Sequence, residues 1–348
     1  MKYLFYQMWP NTVNNHSGIK YLCEQLEAHY PKEYKALQLP LGYVVRERRL
    51  PGKLKSIAKY IDTRIAVKKK ENDYCDMARQ IFCSMNDGDE AFMMEYMHPM
   101  INQYIMVKEF RRLGFHGKIY GMAHMPPKFM DENFSDRSLT KWIQPIDGLI
   151  TLGSSLTSYF EGRGVESTRV STMFHYVSEY YLTKDIAPHA QLTVIALGNN
   201  YRDMDTLRQV VLANPAIRFI VCQGVMDYSA YFSGANNVKL VPFVQEEELR
   251  TLMSEADISL NSMYDTIGSN VIVTSLAMGL AMICSDVGSI RDYCNEDDTI
   301  FCRTVDDFNL ALRHLSAHHD LLLAMRKAAR EHAKAFRIDS FHKVFSKL

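Results

Sequence analysis

The segment best suited to chemistry lies between residues 264 and 288, where a polar turn precedes an apolar helical pattern. Gly268 supplies a turn, Ser269 is a good helix N-cap, and the apolar residues after Asn270 continue as a helix. Asn270 and Thr274 are four residues apart, so they share one face of that helix. The first backbone N–H groups of the helix can donate hydrogen bonds to an anion or a sugar. A plain helix cap would show the same residues, and cap chemistry alone favours that interpretation.

An arginine near the middle of the chain is suited to a phosphate group. Arg202 follows Gly198 at the end of a predicted strand, Leu192–Leu197, on the edge where a cleft should open. Its guanidinium group donates a rigid fork of N–H groups that matches a phosphate. The alternative is a surface ion pair with Asp203 or Asp205.

A histidine follows another predicted strand. His124 comes after Lys118–Met122 and before two prolines that fix its loop. A histidine there can donate a hydrogen bond to a sugar or a leaving oxygen, or transfer a proton. Because the chain has twelve histidines, a structural or solvent-exposed histidine is an equal alternative. His98 and His175 are weaker candidates for the same role.

A polar loop joins the first predicted strand to the first predicted helix. It contains Asn15, His16, Ser17 and Gly18. In a doubly wound domain this loop faces the cleft, and its small residues leave room for a substrate. A turn followed by a helix N-cap explains the same residues equally well.

Apolar strands alternate with helices along the chain, which is typical of a parallel sheet covered on both faces. Right-handed crossovers then give doubly wound, Rossmann-like α/β domains. The predicted strands are Lys2–Gln7, Ala91–Tyr96, Lys118–Met122, Gly148–Leu152, Leu192–Leu197, Ile217–Cys222, Val238–Val241, Ile258–Asn261, Ala281–Ser285 and Thr299–Cys302. The predicted helices include Ser17–Ala28, Lys53–Cys83, Pro99–Leu113, Ser154–Gly162, Asp203–Ala213, Gln245–Ser254, Val271–Met278, Leu321–Phe336 and Asp339–Leu348.

The length of 348 residues favours two domains. Regular apolar periodicity lapses over residues 176–190, which places the boundary near residue 180. We therefore predict a first Rossmann-like domain over 1–180, a second over 181–325, and C-terminal helices over 326–348 that pack back on the first. The carboxyl ends of the two sheets should face each other across a cleft, where phosphate groups bind at helix N-termini.

Composition argues against several classes of protein. The 40 Lys and Arg residues balance the 40 Asp and Glu residues, whereas a nucleic-acid binder normally carries a basic surplus. The seven cysteines are an odd number without zinc-binding spacing, which favours reduced thiols in the cytoplasm. The first apolar run is too short for a signal peptide, and no run is long enough to span a bilayer. We expect a cytoplasmic protein that binds no nucleic acid.

Several runs in the second half follow one another in a familiar order. They are Leu197–Asp203, Val238–Val244, Glu247–Leu249, Ala256–Asp257, Ser269–Gly279 and Cys284–Gly288. Together they resemble the donor-binding domain of family 4 GT-B glycosyltransferases, the bacterial group 1 glycosyl transferases. The resemblance covers residues 192–302 in order and spacing, and the first half loosely.

This resemblance implies transfer of a sugar from a nucleoside diphosphate sugar to a glycan or lipid-linked acceptor, in surface polysaccharide or glycoconjugate synthesis. It implies retention of anomeric configuration, no metal, and no cofactor besides the nucleotide sugar as co-substrate. The catalytic candidates are His124 and Arg202, and Asn15, His16 and Ser17 are candidates for the acceptor side of the cleft. The donor-binding candidates are Gly18, Gly198, Arg202, Asp265, Gly268, Ser269, Asn270 and Thr274.

Two positions depart from the family pattern. Thr274 stands where the family has an acidic residue that holds the nucleotide ribose, and a hydroxyl offers one oxygen where a carboxylate has two. The lysine expected soon after Gly224 is missing. Two alternatives therefore stay open. One is a non-catalytic GT-B-like subunit, and the other is a GT-B-type sugar-nucleotide epimerase, which requires carboxylates and histidines to converge in the cleft.

A basic segment precedes the middle of the first domain. Arg46–Lys70 holds ten basic residues against two acidic ones, with aliphatic residues at steps of three and four. Such a helix can lie peripherally on the anionic inner face of a membrane, which suits a lipid-linked acceptor. An ordinary solvated helix face is a slightly better explanation from sequence alone.

Overall fold

The computed structural model describes residues 1–7, 9, 15–40, 52–182, 189, 191–224 and 226–348, with the backbone alone for residues 52–60. It contains two six-stranded parallel sheets, one in each half of the chain, flanked by helices. The predicted pair of Rossmann-like α/β domains is confirmed.

The first sheet is built from the first half of the chain. Its strands are β1 (Lys2–Tyr6), β2 (Tyr34–Gln38), β3 (Glu90–Met93), β4 (Ile119–Ala123), β5 (Gly148–Thr151) and β6 (Val170–Thr172). They lie in the order β2-β1-β3-β4-β5-β6, and each is parallel to its neighbours. The chain crosses over between β1 and β3, which is where doubly wound sheets open a binding crevice.

The second sheet repeats this plan. Its strands are β7 (Thr193–Ala196), β8 (Arg218–Gly224), β9 (Val238–Pro242), β10 (Ile258–Asn261), β11 (Ala281–Ser285) and β12 (Thr299–Cys302). The order is β12-β11-β10-β7-β8-β9, again all parallel. The crossover here lies between β7 and β10, so the loops after these strands should line a ligand site.

Helices connect the strands and cover both faces of each sheet. In the first half they are α1 (Gly18–His29), α2 (Gly52–Phe82), α3 (Tyr104–Arg112), α4 (Pro127–Asn133), α5 (Asp136–Ile143) and α6 (Ser154–Glu161). In the second half they are α7 (Met204–Ala213), α8 (Glu246–Ser254), α9 (Asn270–Ala277), α10 (Ile290–Tyr293), α11 (Val305–Ala317), α12 (His319–His332) and α13 (Ile338–Phe345). Within the described ranges, no helix combines the length and the apolar character that crossing a bilayer requires.

The central strands are buried on both faces because helices cover each sheet from two sides. Every residue of β4, β5, β10 and β11 is buried. Such strands offer no side chain to solvent along their length. Polar side chains that meet a ligand must therefore come from the loops at the carboxyl ends of the strands.

The differences from the predicted elements have local causes. The edge strands β2 and β6 were not predicted, because they carry polar residues and pair with one neighbour only, so their sequences show no continuous apolar run. The helix predicted from Pro99 begins instead at Tyr104. Asn102, just before it, has a φ of 58°, which an α-helix cannot contain.

The last helix of the chain returns to the first domain. The predicted boundary at residues 180 and 181 falls in the connection between β6 and β7. In the predicted C-terminal unit, α12 packs on α9 and β11 of the second domain. In contrast, α13 contacts α1 and places Phe341 and Phe345 in the hydrophobic core of the first domain.

Candidate functional site

A cavity of about 220 Å³ lies between the two domains at the carboxyl ends of their sheets. The first domain contributes the loop before α1, and the second contributes the ends of β7, β8 and β9 and the first turns of α8 and α9. We call this space the interdomain cavity. Its lining residues are Asn15, Ser17, Tyr181, Leu197, Gly198, Asn199, Cys222, Gly224, Pro242, Phe243, Val244, Glu246, Leu249, Met253, Asn270, Val271 and Thr274.

Five of the residues predicted from sequence line this cavity directly. They are Asn15, Ser17, Gly198, Asn270 and Thr274. A sixth, Gly18, lies at its edge with a φ of 85°, and a Cβ atom there would be 3.7 Å from Asn270 Nδ2. The loop of the first domain and the start of α9 therefore meet across the cleft.

The start of α9 is arranged as the sequence predicted. Ser269 is the N-cap, and its hydroxyl accepts a hydrogen bond from Ile272 N at 3.4 Å. The Oδ1 atom of Asn270 is buried and has no hydrogen-bond partner in the described structure. An unsatisfied buried acceptor is unfavourable unless a ligand supplies a donor. The start of α9 therefore holds a buried acceptor whose hydrogen-bonding capacity is unused in the described structure.

Thr274 is turned toward its own helix. Its hydroxyl donates to Asn270 O at 2.6 Å and lies 3.2 Å from Val271 O. The hydroxyl proton is thus committed to the backbone, a common arrangement for threonine inside a helix. The side chain lines the cavity, but it presents little more than an oxygen lone pair and a methyl group to a ligand.

Gly268, predicted to bind the donor, has a packing role in the structure. Its φ is 79°, and a Cβ atom at this position would lie 2.1 Å from the ring of Tyr293. The Tyr293 hydroxyl donates to Leu152 O at 2.5 Å and accepts from His175 N at 2.9 Å. Gly268 therefore makes room for a tyrosine that ties the second domain to the first, and it is not among the described residues lining the cavity.

Arg202 is directed into its own domain. Its guanidinium group donates to Leu197 O, to Leu260 O and to Asn261 Oδ1. Burial lowers the pKa of Arg202 to about 10, so the group stays charged at neutral pH. It stands next to Gly198, whose Cβ position is 3.7 Å from Arg202 Nη2, but it is not among the described residues that line the cavity. Arg202, the side chain predicted to bind phosphate, therefore does not reach the cavity in this structure.

Asp265, which was also predicted to bind the donor, bridges the two domains instead. Its carboxylate accepts hydrogen bonds from Lys128 N at 3.1 Å and from Thr266 N at 2.8 Å. Burial raises the pKa of Asp265. The carboxylate caps the first turn of α4 in the opposite domain, so its role in this conformation is to hold the two domains together.

His16 connects the two domains across the cleft. Its backbone N–H donates to both carboxylate oxygens of Glu246 at 2.8 Å, and its Nδ1 lies 2.7 Å from Oε2. The hydroxyl of Tyr181 donates to the same carboxylate at 2.5 Å. The His16 ring also stacks on Tyr180, with ring centroids 4.1 Å apart. We call this group the His16–Glu246 clamp.

His124 belongs to a group of three partly buried histidines at the carboxyl edge of the first sheet. The rings of His98 and His124 are nearly parallel with centroids 6.2 Å apart, and the Nδ1 atoms of both are buried without a partner in the described structure. Burial, reinforced by His98 and His175, lowers the pKa of His124 to about 3. Burial also lowers the pKa of His175 to about 4. These imidazoles are neutral at physiological pH, so they can exchange hydrogen bonds but do not carry positive charge.

A buried carboxyl group lies behind this edge. Glu95 is 2% exposed, and its carboxylate accepts from Gln7 N at 2.7 Å and from Trp9 Nε1 at 3.1 Å. Burial raises the pKa of Glu95 to about 7 although both hydrogen bonds oppose the shift. The Trp9 ring in turn contacts His98, with centroids 6.4 Å apart. The first domain therefore holds a titratable acid beside a histidine group.

Three of these residues were not predicted from sequence. Glu246 is the first of three successive glutamates, and nothing in that run marks the one that turns inward. Glu95 follows the apolar run Ala91–Met94, and a carboxylate directly after a buried strand was a usable signal. Asn199 lines the cavity, and its place directly after Gly198, a predicted site residue at the end of a strand, was a usable signal.

Comparison with known proteins agrees with this geometry. Residues 193–318 match the family model described as Glycosyl transferases group 1. No curated protein matches the sequence. Among solved structures, Anabaena Alr3699/HepE in complex with UDP has a TM-score of 0.72 at 11% identity, over 100% of this chain and 99% of that chain.

Two further solved structures share the fold. Sucrose-phosphate synthase from Thermosynechococcus elongatus has a TM-score of 0.69 at 12% identity, over 99% of this chain and 97% of that chain. The lipopolysaccharide outer core galactosyltransferase WaaB has a TM-score of 0.68 at 14% identity, over 100% of both chains. The predicted resemblance is thus confirmed: residues 193–318 of the second domain match the group 1 glycosyl transferase family model, and the whole chain has the GT-B fold of these solved structures.

Proposed function

We propose that the chain transfers a sugar from a nucleoside diphosphate sugar to a glycan or lipid-linked acceptor, in the synthesis of a surface polysaccharide or glycoconjugate. The observation that carries this proposal is the interdomain cavity, which both domains line at the carboxyl ends of their sheets. A donor bound there is held by the second domain and covered by the first. The transferred sugar then faces the first domain, where an acceptor can approach.

The donor is bound without a metal in this proposal. The leaving nucleoside diphosphate gains negative charge in the transition state, which fixed hydrogen-bond donors can stabilise. The first N–H groups of α9 lie at the edge of the cavity and present the positive end of the helix dipole. Arg202 lies next to Gly198, outside the lining of the cavity, and adds positive charge to the same side of the cleft. It reaches a phosphate only if its bonds to the three strand-end acceptors are exchanged.

His124 acts on the sugar side as a hydrogen-bonding group. Because burial lowers its pKa to about 3, it is a poor general acid at neutral pH but a good neutral donor or acceptor for a hydroxyl. Its buried Nδ1 has no partner in the described structure. We assign no enzymic nucleophile, and retention of anomeric configuration is part of the proposal.

A lipid-linked acceptor would bring the chain to a membrane surface. Within the predicted basic segment, residues 46–51 lie outside the described residues, and only the backbone of residues 52–60 is described. Further along α2, the side chains of Ile61, Ile65 and Val67 are 50%, 58% and 49% exposed, among basic residues. We propose that this part of α2, residues 61–70, lies on the anionic inner face of the membrane as a peripheral contact.

Titration calorimetry with UDP, GDP, ADP and CMP, each with and without EDTA, tests the donor half of the proposal. We expect one nucleoside diphosphate to bind at one site per chain and EDTA to make no difference. Incubation with the matching nucleotide sugars then tests turnover. Release of the free nucleotide supports transfer, a changed sugar on an intact nucleotide indicates epimerisation, and binding without either product indicates a non-catalytic subunit.

A further inference from the structure

A cavity of about 610 Å³ lies among the helices of the first domain and shares no lining residue with the interdomain cavity. It is formed by α2, α3, α5 and the turn before α3, and we call it the α2–α3–α5 groove. Its volume is in the range of about 300–1,000 Å³ that is typical of small-ligand sites. The charged residues in its lining are three cations and two acids, namely Lys108, Arg112, Lys141, Glu71 and Glu109. The groove therefore favours an anion.

Two ammonium groups meet over one aromatic ring of this groove. The Nζ atoms of Lys108 and Lys141 lie 5.7 Å and 5.6 Å from the centroid of the Tyr104 ring. In the part of the chain that the structure describes, neither group pairs with an acid, and Glu109 is bonded to two arginines instead. Like charges held close together repel each other, so an anion bound between the two lysines would lower the energy of both.

The start of α3 adds to the same positive field. Tyr104 and Ile105 are the first two residues of this helix, and both line the groove. The N-cap residue, Gln103, makes no side-chain hydrogen bond to the helix. Its amide is bonded to Glu95 N and Phe5 O instead. The positive end of the helix dipole therefore reaches the groove without a side-chain acceptor from its cap.

The groove also offers an aromatic surface and amide groups. The half-buried Tyr104 ring stacks on the buried ring of Trp142, with centroids 5.2 Å apart and planes at 13°, and both residues line the groove. The negative face of an aromatic ring attracts the weakly positive C–H groups on the face of a sugar. Asn72 and Asn102 add amides that can exchange hydrogen bonds with hydroxyl groups. A bare phosphate would use the cations alone, whereas a sugar that carries an acidic group would use every part of this lining.

We propose that the α2–α3–α5 groove binds an acidic sugar unit, such as a uronic acid, of the glycan that the chain extends. The acidic group lies between Lys108 and Lys141, and the sugar ring lies against Tyr104. The choice of a glycan as occupant rests on the proposed function. The groove begins at Glu71, directly after the proposed membrane contact at residues 61–70, so a glycan on a lipid-linked acceptor is within its reach.

The test is calorimetry of the full chain with two acidic hexasaccharides, of galacturonate and of hyaluronan, with their neutral methyl esters and with inorganic phosphate. The wild type should bind at least one acidic hexamer about tenfold more tightly than its ester or phosphate, as expected when two exposed charge pairs form. The double variant Lys108→Ala, Lys141→Ala should bind the acid and the ester about equally. The matched control Lys32→Ala, Lys327→Ala removes the same charge at exposed lysines elsewhere and should behave like the wild type.

Three results would overturn the inference: no binding of either hexamer by the wild type, equal binding of acid and ester, or a preference for the acid that survives in the Lys108 and Lys141 double variant. A double variant that binds the hexamer normally but no longer floats with anionic vesicles would assign the groove to lipid headgroups and would also overturn it. Titration of the same variants with the nucleoside diphosphate keeps the proposed function separate, because its affinity in the interdomain cavity should be unchanged.

Discussion

The Nδ1 atom of His16, in the first domain, lies 2.7 Å from the carboxylate of Glu246, in the second. The same carboxylate accepts the backbone N–H of His16 and the hydroxyl of Tyr181, and it is 8% exposed. Because Ser17 follows His16 and lines the cavity, this contact holds the loop of the first domain that faces the cavity.

Breaking the His16–Glu246 clamp should weaken donor binding. In Glu246→Gln the bidentate acceptor of the His16 N–H is lost, so the loop over the cavity is held less firmly. We expect the dissociation constant for the nucleoside diphosphate to rise about tenfold, the effect of one charge-assisted hydrogen bond. Glu247→Gln, in the exposed neighbour, is the matched control for calorimetry. Equal affinities in the two variants would show that the clamp does not govern the cavity.

Gly268→Ala should destabilise the protein. The added methyl group would meet the Tyr293 ring at 2.1 Å, and the φ of 79° is unfavourable for any residue with a Cβ atom. We expect the free energy of unfolding to fall by about 2–3 kcal/mol in a denaturant titration. At Gly88 a Cβ atom would meet nothing within 4 Å, so Gly88→Ala should change the free energy of unfolding by less than about 0.5 kcal/mol. Similar values for the two variants would contradict this packing role.

Thr274→Val should leave nucleotide affinity nearly unchanged. Valine has the shape of threonine, and the hydroxyl proton it removes is given to the backbone of α9 rather than to the cavity. We expect a change of less than about threefold, well below the loss of a full hydrogen bond. A tenfold loss would show instead that Thr274 holds the ribose, as the family's acidic residue does.

The pKa of Glu95 predicts a pH-dependent stability. Burial raises this pKa from 4.5 to about 7, so folding favours the protonated form. The favourable contribution is complete below pH 4.5 and is lost as the pH rises through 7. Unfolding free energies at pH 5 and pH 8 should therefore differ less in Glu95→Gln than in the wild type. Glu166→Gln, at an exposed glutamate, is the control, and an unchanged pH difference in Glu95→Gln would refute the assignment.

The exposed aliphatic residues of α2 predict a surface-binding phenotype. Flotation with vesicles rich in anionic lipid should recover the wild-type chain, whereas neutral phosphatidylcholine vesicles should recover little. The double variant Ile61→Glu, Ile65→Glu replaces two apolar side chains of the proposed contact with acids that the anionic lipid repels. It should lose at least half of the bound fraction, since one charge near such a surface changes the binding free energy by about 1 kcal/mol. Leu310→Glu, at a residue 62% exposed on α11, should float like the wild type.

The fold could be predicted because its signals are local. Buried parallel strands such as β10 and β11 are continuous apolar runs, and their predicted bounds, Ile258–Asn261 and Ala281–Ser285, agree with the structure. The N-cap at Ser269 was equally readable, since cap chemistry depends on neighbouring residues.

The roles of individual site residues depend on distant partners and could not be predicted in this way. Gly268 needs room for Tyr293, Asp265 faces Lys128, and the guanidinium of Arg202 reaches acceptors 58 and 59 residues further along the chain. A motif places such residues at the edge of a cleft. Which of them turn toward a ligand is decided by packing between elements.

A crystal structure of the chain with its most tightly bound nucleoside diphosphate tests the central claim most directly. We predict the nucleotide between Ser17 and Asn270, with its base against Phe243 and its phosphates directed to the start of α9. A nucleotide bound elsewhere on the chain, or an interdomain cavity that stays empty at saturating nucleotide, would contradict the account.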